Sequence, residues 1–230
     1  PNDEFDPKYA GFYGPPINQP FNSGNNSKAF QLDWLARVQE LVDRFDPQLL
    51  YFDNGVNPRE YDEVKLRAAA YLYNRARERH YETTLATKDV AYLFATVQDF
   101  EGAGREPKWP YAGGWQCDTP IGNSWGYIDD LRVASSLSII HELIATASCD
   151  GNLLLNVSPK GDGSIPDNQQ QSLTGVGDWL KINGEAIYGS RAWIRPGEGP
   201  GIPAFAPGDW KGGSTAQRMP AVKRPPQCEA

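Results

Sequence analysis

Phe30, Trp34, Leu35, Val38, Leu41, Val42 and Phe45 recur at three- and four-residue intervals with charges between them, which predicts an amphipathic helix. Asp46-Pro47 ends it, because a residue preceding proline is pushed out of the α region. Leu49-Leu50-Tyr51-Phe52-Asp53 follows, an apolar run stopping on a carboxylate, as a buried parallel strand does at the rim of a sheet. A second helical stretch covers Glu60 to Tyr81, and Val90 to Val97 reads as the next strand, ending in Gln98-Asp99-Phe100-Glu101. A Gly-, Pro- and Trp-rich loop of about 25 residues comes next, long enough to suggest function. Asp129 or Asp130 is the expected cap of a third helix with Val133, Leu137, Ile140, Ile144 and Ala147 on its apolar face. Leu153 to Val157 is a further buried strand, and Pro159 to Gly163 a turn. Pro166-Asp167 opens a fourth helix, expected to close with Gly184 at C′.

Helices alternating with strands imply parallel pairing with right-handed crossovers, hence an α/β fold. Three or four strands in 230 residues cannot complete an eight-fold barrel, which takes about 250 residues. A half-barrel or a small open parallel sheet fits this length. That unit occupies residues 1–193, and a Pro/Gly-rich linker or tail occupies 194–230.

Composition narrows the chemistry. A net charge of -7 argues against a nucleic-acid-binding surface, and no stretch has the apolar length of a membrane span. Three widely spaced cysteines (Cys117, Cys149, Cys228) spell neither a disulfide framework nor a C-x-x-C metal site, and only His80 and His141 are available to a triad or a zinc centre. No metal and no cofactor is called for. The opening residues show no basic-then-apolar leader. Seven Trp, eleven Tyr and nine Phe, many of them in loops, suit the flat apolar faces of sugars.

Asp53 and the Asp99/Glu101 pair end neighbouring strands on the face where barrel enzymes place their chemistry. Two carboxylates there match the needs of glycosidic cleavage, one stabilising or attacking the oxocarbenium-like centre and one protonating the leaving oxygen. The competing reading makes Asp53 a cap of the next helix and Glu101 a solvated loop residue.

Gly151-Asn152-Leu153-Leu154-Leu155-Asn156-Val157-Ser158-Pro159, with the following Lys160 to Pro166, resembles the hallmark of the α-L-fucosidases of glycoside hydrolase family 29. Asp178 to Gly189, Ser124-Trp125-Gly126-Tyr127 and Leu49 to Asp53 are similar to the same family in collinear order. The resemblance implies a retaining exo-α-L-fucosidase on a (β/α) barrel, acting on a fucosylated oligosaccharide or glycoconjugate in a periplasmic, secreted or lysosome-like setting. On the matching motifs, Asp53 would be the nucleophile and Glu101 the acid/base, with Asp99 or Glu106 behind it. Gln116 stands near where another branch carries a glutamate, and an amide cannot donate the catalytic proton. Trp125 would pack on the sugar's C6 methyl, while Trp115 is open between a sugar contact and a core role. The family's fucose-gripping histidines have no counterpart here, so the match is to the C-terminal part of the catalytic domain, and the resemblance implies an α/β fold that is a partial (β/α)8 TIM-type barrel of the later βα units only. A fragment of a longer enzyme and an inactive carbohydrate-binding remnant both fit. The exposed strand edges of a half-barrel favour association into oligomers.

Overall fold

The computed structural model describes residues 5–9, 11, 27–53, 55–88, 91–92, 96–101, 107, 113–193 and 197. Most of the irregular opening segment, the acid candidate Glu106, Cys228 and nearly all of the 194–230 tail fall outside these residues. Helix α1 (Lys28–Phe45) starts where the Ser27 side chain accepts a hydrogen bond from the Phe30 N–H, satisfying one of the free donors of its first turn. Asp46 ends it in a left-handed conformation, φ 44°. Strand β1 (Leu49–Phe52) follows directly, and the turn Arg59–Tyr61 leads into α2 (Asp62–Arg79). Then come β2 (Thr84–Thr87), β3 (Val97–Asp99), β4 (Trp115–Pro120), α3 (Ser136–Ser148), β5 (Gly151–Asn156) and α4 (Asp167–Asn183).

The five strands form one sheet in the order β1-β2-β3-β4-β5, and every neighbouring pair is parallel. Sequential order with parallel pairing is the topology of a (β/α) barrel, here as a curled half. The core has two parts. Leu35, Val38 and Val42 of α1 pack with Val64, Ala68 and Leu72 of α2 and with Leu85 of β2. Phe52 joins them between Trp34 (ring centroids 5.3 Å apart) and Tyr92 (6.2 Å, nearly parallel). The second part is Trp115, Cys117 and Cys149, both cysteines being free thiols, with Phe100 and Leu153 against them.

Several sequence expectations shift. Of the strand expected over 90–97, Ala91 and Tyr92 lie in a bend, Val97 opens the short strand Val97–Asp99, and residues 90 and 93–95 lie outside the described residues; Thr84–Thr87 is a further short strand. Tyr92 is apolar in bulk because it fills the core, with its hydroxyl donating to the Lys65 carbonyl at 2.8 Å, and this burial imitated a strand in the sequence. Residues 115–120, read as loop, are a six-residue central strand whose polar residues Gln116 and Asp118 are buried. The third helix is capped by Ser135 rather than Asp129 or Asp130, and its buried face is Ile139, Ile140 and Thr146, leaving Leu137 exposed. Gly184 is right-handed, φ -60°, and the chain runs on through a turn to Ala186. Its lack of a Cβ serves the close approach of the Tyr188 ring.

Gly151 has a comparable role at the start of β5. A Cβ there would fall inside the Trp115 indole, whose N–H donates to the Cys149 carbonyl at 2.9 Å. Gly151→Ala should therefore overpack this core and cost about 1–3 kcal/mol or more. Urea unfolding of the chain checks this; an unchanged midpoint would show that the indole can move aside.

Candidate active site

Side chains alternate between the two faces of each strand, so the registers decide which residues meet. Phe52 pairs with Thr87, Thr87 with Gln98, Gln98 with Trp115, and Trp115 with Gly151. Phe52 and Trp115 of this row pack in the core with the helices. One residue further along, the next row faces the opposite side: Asp53, Lys88, Asp99, Gln116 and Asn152, with Asp99 and Gln116, and Gln116 and Asn152, as register partners. Asp118 and Glu101 stand two residues beyond Gln116 and Asp99 on this same face. Asp53, Lys88, Asp99 and Glu101 sit at or just past the carboxyl ends of β1, β2 and β3, where chemistry can begin, while Gln116 and Asp118 of β4 and Asn152 of β5 lie within their strands.

Lys88 ties the row together. Its ammonium Nζ is 2.9 Å from Asp53 Oδ1, 2.9 Å from Asp118 Oδ2 and 3.5 Å from Glu101 Oε2. Because two of these distances, 2.9 and 3.5 Å, share one nitrogen, the Asp53 and Glu101 oxygens are no more than about 6.4 Å apart. The side chains of Lys88 and Asp118 are each 10% exposed, whereas Glu101 is 32% and Asp53 59% exposed. Burial alone would lower the Lys88 pKa, but hydrogen bonds and charge from Asp118 and Asp53 outweigh it and hold the ammonium above its ordinary range. Lys88 also lies over the Trp125 ring, 5.8 Å from its centroid, within cation–π range.

Beneath this layer the Tyr51 hydroxyl is 3.4 Å from Asp53 Oδ1 and 3.5 Å from Asp118 Oδ2. Burial, then the charges of Asp118 and Asp99, push its pKa up, so it remains a donor. Asp99 is buried, and its Oδ2 accepts from Gln116 Nε2 at 2.5 Å. Burial first, then its hydrogen bond with Asp118, pushes its pKa up to about 7. Among the described residues no group of three or more His, Cys, Asp or Glu is placed to hold a metal ion.

Of the sequence candidates, Asp53, Glu101 and Trp125 thus converge on one ammonium, and Asp99 lies behind them. Trp115 is fully buried, on the face packed against the helices. Glu106 lies outside the described residues. Sequence reasoning missed Lys88 and Asp118. The apolar–polar alternation of Trp115-Gln116-Cys117-Asp118 was the available signal for the second.

The motif after β5 holds Trp125 in place. Asn156 Nδ2 donates to the Trp125 carbonyl at 2.9 Å, and the Ser158 hydroxyl donates to it at 3.2 Å. Ser158 is in turn gripped by the fully buried Gln169 of α4, which accepts from its N–H and donates to its carbonyl, both at 2.9 Å.

A half-barrel with carboxylates converging at its strand ends is the arrangement of a barrel glycosidase. The profile of the alpha-L-fucosidase family matches residues 2–185, and the chain belongs to that family. It is 31% identical over 172 residues to the plasma alpha-L-fucosidase of Rattus norvegicus, covering 69% of this chain and 36% of that protein. With the human plasma enzyme it shares 32% identity over 170 residues, covering 69% and 35%. The crystal structure of Thermotoga maritima alpha-fucosidase in complex with fucose superposes with a TM-score of 0.63 at 29% identity, covering 79% of this chain and 40% of that one. The chain thus spans little more than a third of the length of the curated relatives it matches over most of its own length.

The Gln169 grip is testable. Gln169→Leu would leave the Ser158 N–H and carbonyl buried without partners, at about 1–3 kcal/mol for each group. Thermal unfolding should fall accordingly, and Trp125 fluorescence should shift even where the chain stays folded. A variant with unchanged stability and emission would mean that the motif does not anchor Trp125.

Proposed function

We propose that the chain supplies the later half of the catalytic barrel of a retaining exo-α-L-fucosidase, which releases terminal L-fucose from oligosaccharides or glycoconjugates. The observation that carries this reading is the shared ammonium, which sets Asp53 and Glu101 within one short span on the open side of the strand ends. The limit of about 6.4 Å between their oxygens is compatible with the roughly 5–5.5 Å separation of retaining enzymes and falls below the roughly 6.5–9.5 Å of inverting ones.

In the first step an Asp53 oxygen attacks the anomeric carbon, forming a fucosyl ester as the glycosidic bond breaks. Glu101 gives its proton to the departing oxygen. In the second step water attacks the same carbon, Glu101 takes the water's proton, and the Asp53 ester bond breaks with its electron pair returning to the carboxylate. Trp125, exposed beside Lys88, offers an apolar wall for the sugar's methyl group. The remaining walls would come from a first barrel half, in keeping with the fraction of the relatives that the chain spans.

In a protein containing both halves, Asp53→Gly should lower kcat by several orders of magnitude, with partial recovery on adding azide to fill the vacated space. Full activity in that variant would move the nucleophile elsewhere, and an inert parent protein would favour the carbohydrate-binding remnant. Glu101→Gln should slow substrates with poor leaving groups far more than an activated aryl fucoside, which departs with little protonation. If Glu106→Gln shows that dependence and Glu101→Gln does not, the acid lies further along the loop. Trp125→Ala should cut the preference for L-fucose over L-galactose by up to roughly 10- to 200-fold, the worth of one methyl contact. An unchanged ratio would take Trp125 out of the sugar site.

A further inference from the structure

Asp118 has no role in the two-carboxylate scheme, yet it is the most buried of the three carboxylates around Lys88. We propose that Asp118 is a positioning residue for the reaction: backed by Asp99 and Gln116, its carboxylate seats the Lys88 ammonium between Asp53 and Glu101. This rests on the roles given to Asp53 and Glu101 above.

Three observations carry it. First, attraction between charges grows as water is removed, so the ammonium is held most firmly by the partner that is as buried as itself, 2.9 Å away. Asp53 and Glu101, being more exposed, are the partners that a sugar can displace. Second, Asp118 is itself fixed from behind. Asp99 and Gln116 are register partners on β3 and β4, Gln116 donates to Asp99 Oδ2, and Asp118, two residues beyond Gln116 on the same face, is near enough to raise the Asp99 pKa. Third, a buried carboxyl group beside another carboxylate ionises reluctantly, so burial and the neighbouring Asp118 hold Asp99 well above the ordinary carboxylate range. The Oδ1 atoms of both are buried without a hydrogen-bond partner among the described residues, which adds to the cost of a second charge there.

The groups facing this pair are Tyr51 and Asp53 from the β1 end, Lys88 from the β2 end, Glu101 from the β3 end, Gln116 of β4 and the Trp125 ring. Asp99 holds its proton below about pH 7 and loses it above. The second negative charge then appears behind Asp118 and draws the ammonium inward, away from Asp53. Site geometry should therefore change on the alkaline side through a group that touches no substrate.

The test is a carboxyl-carbon NMR titration of the 230-residue chain and its Asp118→Asn and Asp99→Asn variants. In the parent one aspartate should titrate near pH 7, with the Lys88 side-chain signals moving at the same midpoint. Asp118→Asn should lower that midpoint by about one unit or more and make the Lys88 ammonium protons exchange at least about tenfold faster. Asp99→Asn keeps a neutral hydrogen-bonding group behind Asp118, and Lys88 should then be insensitive to pH through neutrality. A parent in which every aspartate titrates in the ordinary carboxylate range overturns the proposal without any variant. So does an Asp118→Asn chain whose Lys88 signals match the parent. Neither readout uses turnover: loss of the Asp53 assignment would leave the titration as described, while a failed titration would leave that assignment standing.

Discussion

One buried ammonium organises this half-barrel's working face. The Lys88 side chain joins Asp53 of the first strand, Glu101 of the third and Asp118 of the fourth, and lies over Trp125 from the following loop. Without it, several carboxylates would crowd the ends of adjacent strands and repel one another at close range, which is costly where water is scarce. With it, the acidic groups are drawn inward and the two more exposed carboxylates are left facing the open side. The rest of the fold serves to bring that nitrogen and those oxygens into a single row.

Parallel pairing does so by register. Because each strand alternates its side chains, the residues immediately following Phe52 and Thr87 fall on the face opposite the core, as do Asp99 and Gln116. A slip of one residue in any pair would send a carboxylate into the helix-packed side and an aromatic ring into the site. The aromatic row Trp34, Phe52 and Tyr92 on one side, and the Trp115 indole fitted over Gly151 on the other, make that slip expensive.

Asp53 was legible in the sequence because a pure apolar run precedes it, and Glu101 because it closes a strand end. The helices were legible from their three-to-four spacing, within a few residues. What stayed hidden has a common cause. Thr84-Leu85-Ala86-Thr87 is a buried central strand with little apolar bulk, so nothing in the sequence marked Lys88 as the residue at a strand end. Trp115 to Pro120 begins with an apolar–polar alternation, but it follows a Gly- and Pro-rich stretch that reads as loop, and nothing in that alternation tells that its polar residues are buried on the sheet's inner face. Tyr92 did the reverse, lending strand-like apolar character to a bend. The collinear motifs, Leu49 to Asp53 and those after residue 120, carried the family resemblance. The physical role of the later ones emerges only in three dimensions, where Ser158 and Gln169 brace the backbone of Trp125.

Asp53 is the residue proposed to bond to the sugar, and the most direct test is to trap that bond. A protein carrying this chain with a first barrel half would be incubated with a 2-fluoro-fucosyl fluoride, which slows breakdown of a covalent intermediate, then digested and mapped by mass spectrometry. One fluorofucosyl unit is expected on the peptide containing Asp53, absent in Asp53→Asn. A label on Glu101, Asp99 or Asp118, or turnover of fucosides with inverted anomeric configuration and no label at all, would contradict that role of Asp53.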